Sequence, residues 1–214
     1  MTIVFDYDGT LHDTKRLYGC AFRKAYNMLV SEGYAPERFY SDGDVSKYLG
    51  VSAPDMWKSF MPELPQDIVH RASMTIGNEM TDGILNGRAK LYDGIPEMLD
   101  ALKSKGHRLM ILSNCRHAYM EAHRSALGLD RWFSDYFCGE DYGFIPKEEI
   151  FRVLTERHPD NRFIMVGDRD SDIKAGTANG VFTIGCAYGF GSPDELADSD
   201  VVVNSPMEIL SCVE

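Results

Sequence analysis

Basic side chains are in short supply: 22 Lys and Arg against 33 Asp and Glu leave a formal net charge of −11. A polyanionic nucleic acid meets a repulsive field from such a molecule unless a local basic stripe overrides it. No run of Lys or Arg forms one, so nucleic acid is not an expected partner. Long apolar runs are missing as well. Nothing approaches the roughly 18 uninterrupted apolar residues of a membrane span, and the N-terminus has no basic region leading into an apolar stretch of the kind a secretory signal needs. Cysteine is sparse: Cys20, Cys115, Cys138, Cys186 and Cys212 are odd in number and never in CxxC spacing. A disulfide framework or zinc site is therefore not expected, and reduced thiols are. These absences make a cytoplasmic protein the expectation. They do not exclude a small phosphorylated ligand, because a bound divalent cation and a few donors make a site locally positive.

What is present is ordinary globular material. The 214 residues are 44% hydrophobic and 26% charged, and a chain of this size buries roughly 70–75% of its unfolded surface. That suffices for one full core with a small inserted module. Thr2 to Phe5 is a short β-branched apolar run ending in Asp-Tyr-Asp-Gly-Thr, which predicts a buried strand feeding a turn. From Thr14 to Val30 apolar residues recur at helical spacing until Gly33. Between Tyr34 and Arg88, short helical patterns are broken by Pro36, Pro54, Pro62 and Pro65, with no convincing strand. Strands near 107–112, 136–138, 162–166, 181–184 and 200–203 then alternate with helices. Such alternation means βαβ units and a parallel sheet. The expected fold class is α/β: a doubly wound, Rossmann-like core (1–13 and 88–214) with a helical insertion (14–87) after its first strand.

In an open parallel sheet, ligands bind beyond the carboxyl ends of the strands, so the residues after each strand form the candidate site. They are Asp6, Asp8 and Thr10; Ser113 and Asn114; Lys147, opening a helix at some distance; and Gly167, Asp168, Asp170 and Asp172. Crowded carboxylates repel one another, and a hard cation relieves this; Mg²⁺ takes a few carboxylate oxygens together with waters and phosphate oxygens. A positioned carboxylate forms acyl-phosphate intermediates. Asp8, two residues from Asp6, is placed to act as acid toward a leaving alcohol and then as base toward water. Ser113 and Asn114, read as lying at a helix start, offer a hydroxyl and backbone N–H groups to an anion, and Lys147 supplies a point charge.

FDYDGTLHDT resembles the first motif of the haloacid-dehalogenase superfamily, LSNC its second through Ser113, Lys147 its third, and MVGDRDSDIKAG its fourth through Asp168 and Asp172. The four occur in the family's order across essentially the whole chain. The insertion lies where subfamily I members carry a C1 cap, and YGFGSPDEL is similar to a loop of phosphoglycolate-phosphatase-like members. The resemblance implies a Mg²⁺-dependent phosphatase of a small phosphorylated metabolite. Asp6 would be nucleophile and metal ligand, Asp8 acid/base and a metal ligand through its carbonyl, and Asp168 a third ligand. Asp172 would hold the metal's waters or Lys147, while Ser113, Asn114 and Lys147 would grip the phosphate. Two departures stand out: Lys147 sits in IPKEEIF rather than the KPxP of many relatives, and Asp170 adds a carboxylate to the fourth motif. A sugar phosphomutase, or a non-catalytic binding protein on the same fold, is the alternative. His12 is expected at the surface near the hinge, and the Met/Trp/Phe stripe of the insertion is expected in the cap's own core. Phosphoglycolate, nucleoside monophosphates, sugar phosphates and pyrophosphate all stay open as substrates.

Overall fold

A computed structural model describes residues 1–159 and 162–213; residues 160, 161 and 214, within the stretch expected as core, lie outside the described residues. Strand β1 (Thr2–Phe5) is buried along its whole length. Four helices follow: α1 (Lys15–Ser31), α2 (Asp42–Val45), α3 (Ala53–Phe60) and α4 (Gln66–Leu85). The chain then alternates through α5 (Ile95–Ser104), β2 (Arg108–Ser113), α6 (His117–Leu127), β3 (Asp135–Cys138), α7 (Lys147–Arg157), β4 (Phe163–Gly167), α8 (Asp170–Thr177) and β5 (Phe182–Cys186). Strand β6 (Val201–Val203) and the short α9 (Ile209–Cys212) complete it.

The six strands form one sheet in the order β3-β2-β1-β4-β5-β6, and every pairing is parallel. β1 lies at the centre, Thr2 to Phe5 pairing with Arg108 to Ile111 on one side and with Phe163 to Val166 on the other. The strand order reverses between β1 and β4, where a crevice opens beyond the carboxyl ends of the strands. The residue after β1 is therefore delivered to the middle of that edge, and its N–H still donates to the Val166 carbonyl at 2.8 Å.

Side-chain alternation divides the core in two, as a period of two requires. Val4, Met110, Leu112 and Met165 face one way, beneath Phe151 and Leu154 of α7 and Ala175 of α8. Ile3, Phe5, Ile111 and Val166 face the other way, toward α5 and α6. α1 packs along α4, and α4 also touches α6, which seats the helical layer over the sheet edge. Within that layer Phe22, Tyr26, Tyr40 and Phe60 form an aromatic cluster, with Phe22 and Phe60 ring centroids 5.1 Å apart. The chain enters and leaves the layer through two paired segments: Asp13 N–H donates to Lys90 O at 2.9 Å and Tyr92 N–H to Leu11 O at 3.0 Å.

Phe151 is fully buried and packs edge-on against Phe163, with centroids 6.1 Å apart. Phe151→Ala is expected to lower unfolding stability by about 3–5 kcal/mol, read as a reduced urea midpoint with an unchanged slope.

Candidate active site

Asp6 is the first residue past β1, and 3% of its surface is exposed. Lys147, the first residue of α7, places its Nζ 2.6 Å from Asp6 Oδ1 and 2.6 Å from Asp172 Oδ1. Pro146 precedes it with extended backbone (φ −50, ψ 140), so the helix starts at the lysine and points its side chain at the strand ends. Asp172, in the first turn of α8, also accepts from the Arg169 N–H through Oδ2 at 2.9 Å. Asp168 follows β4; it accepts from Thr10 Oγ1 at 3.0 Å and from the Phe190 N–H at 2.7 Å.

Oxygens of Asp6, Asp168 and Asp172 lie within 4.8 Å of one another, and all three residues are buried. Burial and the neighbouring Asp172 push the Asp6 carboxyl well above the usual range, despite Lys147. Burial and Asp172 also push Asp168 up to about 7, against the Phe190 N–H and Thr10. Burial alone would lower Lys147, but Asp172 and Asp6 outweigh it and raise it. One ammonium thus faces three carboxylates, and Asp6 Oδ2 is buried with no hydrogen-bond partner. An oxygen donor set of this kind, short of positive charge, suits a hard divalent cation.

Gly9 is required by this crowding. Its φ is +95, and a Cβ there would lie 2.3 Å from Asp168 Oδ2. Gly191 is similar, since a Cβ would lie 1.8 Å from the Asp168 carbonyl oxygen. The YGFG loop after β5 therefore closes directly over Asp168.

Asp8 has a different environment. Its Oδ1 accepts from Thr14 Oγ1 at 2.6 Å and Tyr119 OH at 2.7 Å, and lies 3.0 Å from His12 Nδ1. Burial would raise the Asp8 carboxyl, but the His12, His123 and Thr14 interactions hold it below its ordinary value. Burial and the Asp8 carboxylate push the Tyr119 hydroxyl up, so it stays a donor. His12 is fully buried, which corrects the expectation of a surface histidine. It stacks on Tyr7 with centroids 5.5 Å apart, and its ring lies 4.4 Å from that of His123. Its burial follows from its backbone bridges to Asp8 and Leu91, which seat it at the crossing between sheet and helical layer.

Asp6, Asp8, Ser113 and Asn114 line one cavity beneath the helical layer, together with Tyr48, Met56 and Trp57. Ser113 is the last residue of β2, and α6 starts only at His117. Ser113 therefore closes the strand and Asn114 lies on the loop before that helix, rather than at its start. Asn114 Nδ2 donates to the Gly50 carbonyl at 3.2 Å, leaving its side chain tied to the helical layer. Met56 and Trp57 are buried, yet they line this cavity instead of serving only the layer's own core. Asp170 pairs with Lys174 at 2.6 Å, away from the carboxylate cluster.

Sequence reasoning missed Tyr119, Thr14 and Arg169. Arg169 Nε bonds Glu195 at 2.8 Å while its Nη1 donates to the Leu49 carbonyl, joining the sheet edge to the helical layer. No periodicity or motif marks such a bond.

The sequence profile of haloacid dehalogenase-like hydrolases matches residues 3–186. The chain belongs to that family. It is 30% identical over 200 residues to a 5′-nucleotidase of Pseudomonas aeruginosa, covering 91% of this chain and 86% of that one. It is 27% identical over 195 residues to a phosphoglycolate phosphatase of Aquifex aeolicus, covering 88% and 85%. A crystal structure described as a predicted phosphatase from Clostridium acetobutylicum superposes with a TM-score of 0.86 at 22% identity, covering 99% of this chain and 97% of that one; at that identity it speaks to the fold. This haloacid dehalogenase-like hydrolase thus shares its architecture with the family over essentially its full length.

His123 gives a pH test. Burial and His12 lower it to about 3, Asp8 opposing, so it stays neutral in the fold but protonates near 6.5 when unfolded. A depressed folded-state value contributes stability that is complete above about pH 6.5 and is lost as pH falls toward 3. His123→Gln is expected to flatten the stability–pH curve over that window by about 1 kcal/mol per pH unit, measured by denaturation at stepped pH.

Proposed function

We propose that this hydrolase removes the phosphoryl group from a small phosphate monoester, with Mg²⁺ bound and Asp6 as nucleophile. The observation that carries the reading is Asp6 itself: its Oδ1 is fixed by Lys147 and its Oδ2 is unpartnered, at the end of the central strand and on the wall of the cavity. The relatives named above are a 5′-nucleotidase and a phosphoglycolate phosphatase; the shared chemistry is phosphate-monoester hydrolysis. Residues 14–87 serve as the cap over the leaving group.

Asp6, the Asp8 carbonyl, Asp168 and Asp172 would hold the cation, which when bound offsets the carboxylate crowd and draws in the phosphate oxygens. Asp6 Oδ2 attacks phosphorus in line with the ester oxygen, giving an aspartyl-phosphate and a departing alcohol. Lys147 fixes the Asp6 carboxylate, and Ser113 with the Asn114 N–H receives the transferring phosphoryl oxygens. Asp8 is ionised in the resting protein. An incoming phosphate brings negative charge beside it and raises its proton affinity, so it carries a proton when the alkoxide leaves. Having given that proton to the alcohol, it takes one from the water that attacks the acyl-phosphate, and Asp6 is regenerated. Thr14, Tyr119 and His12 all engage Asp8 Oδ1, which leaves Oδ2 to exchange the proton.

Phosphate release from a panel of small esters, with Mg²⁺ and with EDTA, tests the reading. Turnover is expected only with the metal and is expected to vanish in Asp6→Asn. Persistent turnover in that variant would remove Asp6 as nucleophile. Mg²⁺ is also expected to raise the melting temperature of the wild type more than that of Asp168→Asn, a readout independent of catalysis. Tyr119→Phe removes one charge-assisted bond to Asp8, and about a tenfold lower kcat is expected, with KM little changed, in steady-state assays.

A further inference from the structure

The cavity over Asp6 has walls rich in aromatic side chains, with little charge of their own above the carboxylates. Five aromatic side chains line it: Tyr18, Tyr48 and Trp57 from the cap, Tyr119 from α6, and Phe144 from the loop after β3. Against these, Arg116 is the one basic side chain among the described lining residues. Its charge is already shared, since its Nε lies 4.0 Å from the Glu140 carboxylate and its Nη1 is 2.8 Å from Met74 Sδ.

Two further features mark the aromatic wall as a binding surface. Phe144 has φ 56, the one positive value among described non-glycine residues. A bulky residue held there is strained by of order 1–3 kcal/mol, and such strain gathers at ligand sites. Trp57, which lines the cavity, has its Nε1 buried with no hydrogen-bond partner, a costly state.

The chemistry of the leaving group follows from these walls. A second anion, as in glycolate or a second phosphate, needs cations that this wall does not offer. A bare sugar needs many hydroxyl partners, whereas the side-chain amide of Asn114 is already committed to Gly50. A planar heteroaromatic ring fits: stacking on aromatic side chains is worth about 1–3 kcal/mol per base, and its ring nitrogens and carbonyls accept hydrogen bonds. We infer that the leaving group is a nucleoside and that this site takes nucleoside 5′-monophosphates, with the base held among Tyr48, Trp57 and Phe144. This rests on the phosphatase reading above.

Steady-state phosphate release with Mg²⁺ from UMP, AMP, ribose 5-phosphate, phosphoglycolate, pyrophosphate and acetyl phosphate tests it. At least one nucleotide is expected to exceed the non-nucleotide esters in kcat/KM by about tenfold or more. Trp57→Phe is expected to shrink the ratio of nucleotide to ribose 5-phosphate. Phosphoglycolate, pyrophosphate or ribose 5-phosphate equal to or above the nucleotides overturns the inference, while leaving the phosphatase reading standing. Acetyl phosphate offers the cap nothing to grip, so silence on it and on every ester sinks the phosphatase reading instead. In that case binding decides the ligand class. UMP and AMP titrated into Asp6→Asn are expected to quench tryptophan fluorescence saturably, and to do so no longer in Asp6→Asn carrying Trp57→Phe. No saturable quench overturns the nucleoside assignment.

Discussion

Three buried carboxylates around one buried ammonium are the constraint on which the rest of the molecule depends. Asp6, Asp168 and Asp172 are drawn within 4.8 Å of one another, an arrangement that repels itself strongly in a medium of low effective dielectric. Lys147 bridges Asp6 and Asp172 and offsets part of that repulsion. The remainder is borne by the scaffold. Asp6 extends a strand paired on both sides, and Asp168 is fixed by a hydroxyl and a backbone N–H. Gly9 and Gly191 are close enough to Asp168 that no side chain fits at either position. A site that resists its own assembly is one poised to gain from a cation, which is why the same geometry that destabilises the fold supports the proposed chemistry.

Asp8 is held by a separate network, and the separation has chemical consequences. Its neighbours are neutral donors and histidine rings rather than carboxylates, so its charge is favoured where that of Asp6 is disfavoured. Two carboxylates two residues apart in sequence therefore differ in proton affinity because the chain leaves the sheet after Asp6, whose N–H still bonds Val166. Asp6 stays in the sheet's electrostatic crowd, while Asp8 turns toward α6 and the start of α1. Pairs of titratable groups whose environments push them apart are how one site divides nucleophilic work from proton transfer.

Much of this was legible in the sequence, and the illegible part has a common cause. The β-branched run before Asp6, the Gly stops and the 3.6-residue periodicities set the order of elements to within a residue or two, because local propensity and burial agree there. The aspartates were legible since strand ends of a parallel sheet converge on one edge. Lys147 was placed through its resemblance to the family's third motif despite its unusual IPKEEIF setting, and α7 does begin at that residue. What escaped were contacts between distant segments. His12 read as a surface residue because its burial depends on a bridge to Leu91, 79 residues on. Tyr119 lies 111 residues from Asp8, and Arg169 reaches Leu49 across 120. Ser113 and Asn114 were assigned to the start of a helix that begins only at His117, since nothing in LSNC marks the length of the intervening loop.

The division between charge and aromatic surface gives the fold its functional logic. Nearly all the buried charge lies in the sheet edge, and the aromatic wall of the cavity comes from the helical layer, α6 and the loop after β3. Phosphoryl transfer depends on positioned charge and tolerates little change. A leaving group is selected by shape and by dispersion, which tolerate substitution well. Placing the two proposed functions on separate layers lets the second vary without disturbing the first, provided the layers keep register. Arg169 meets that condition: its backbone N–H holds Asp172 while its guanidinium holds Leu49. A single residue thus ties the carboxylate cluster to the loop beside Tyr48, so the position of the aromatic wall is set relative to that cluster rather than to the sheet as a whole.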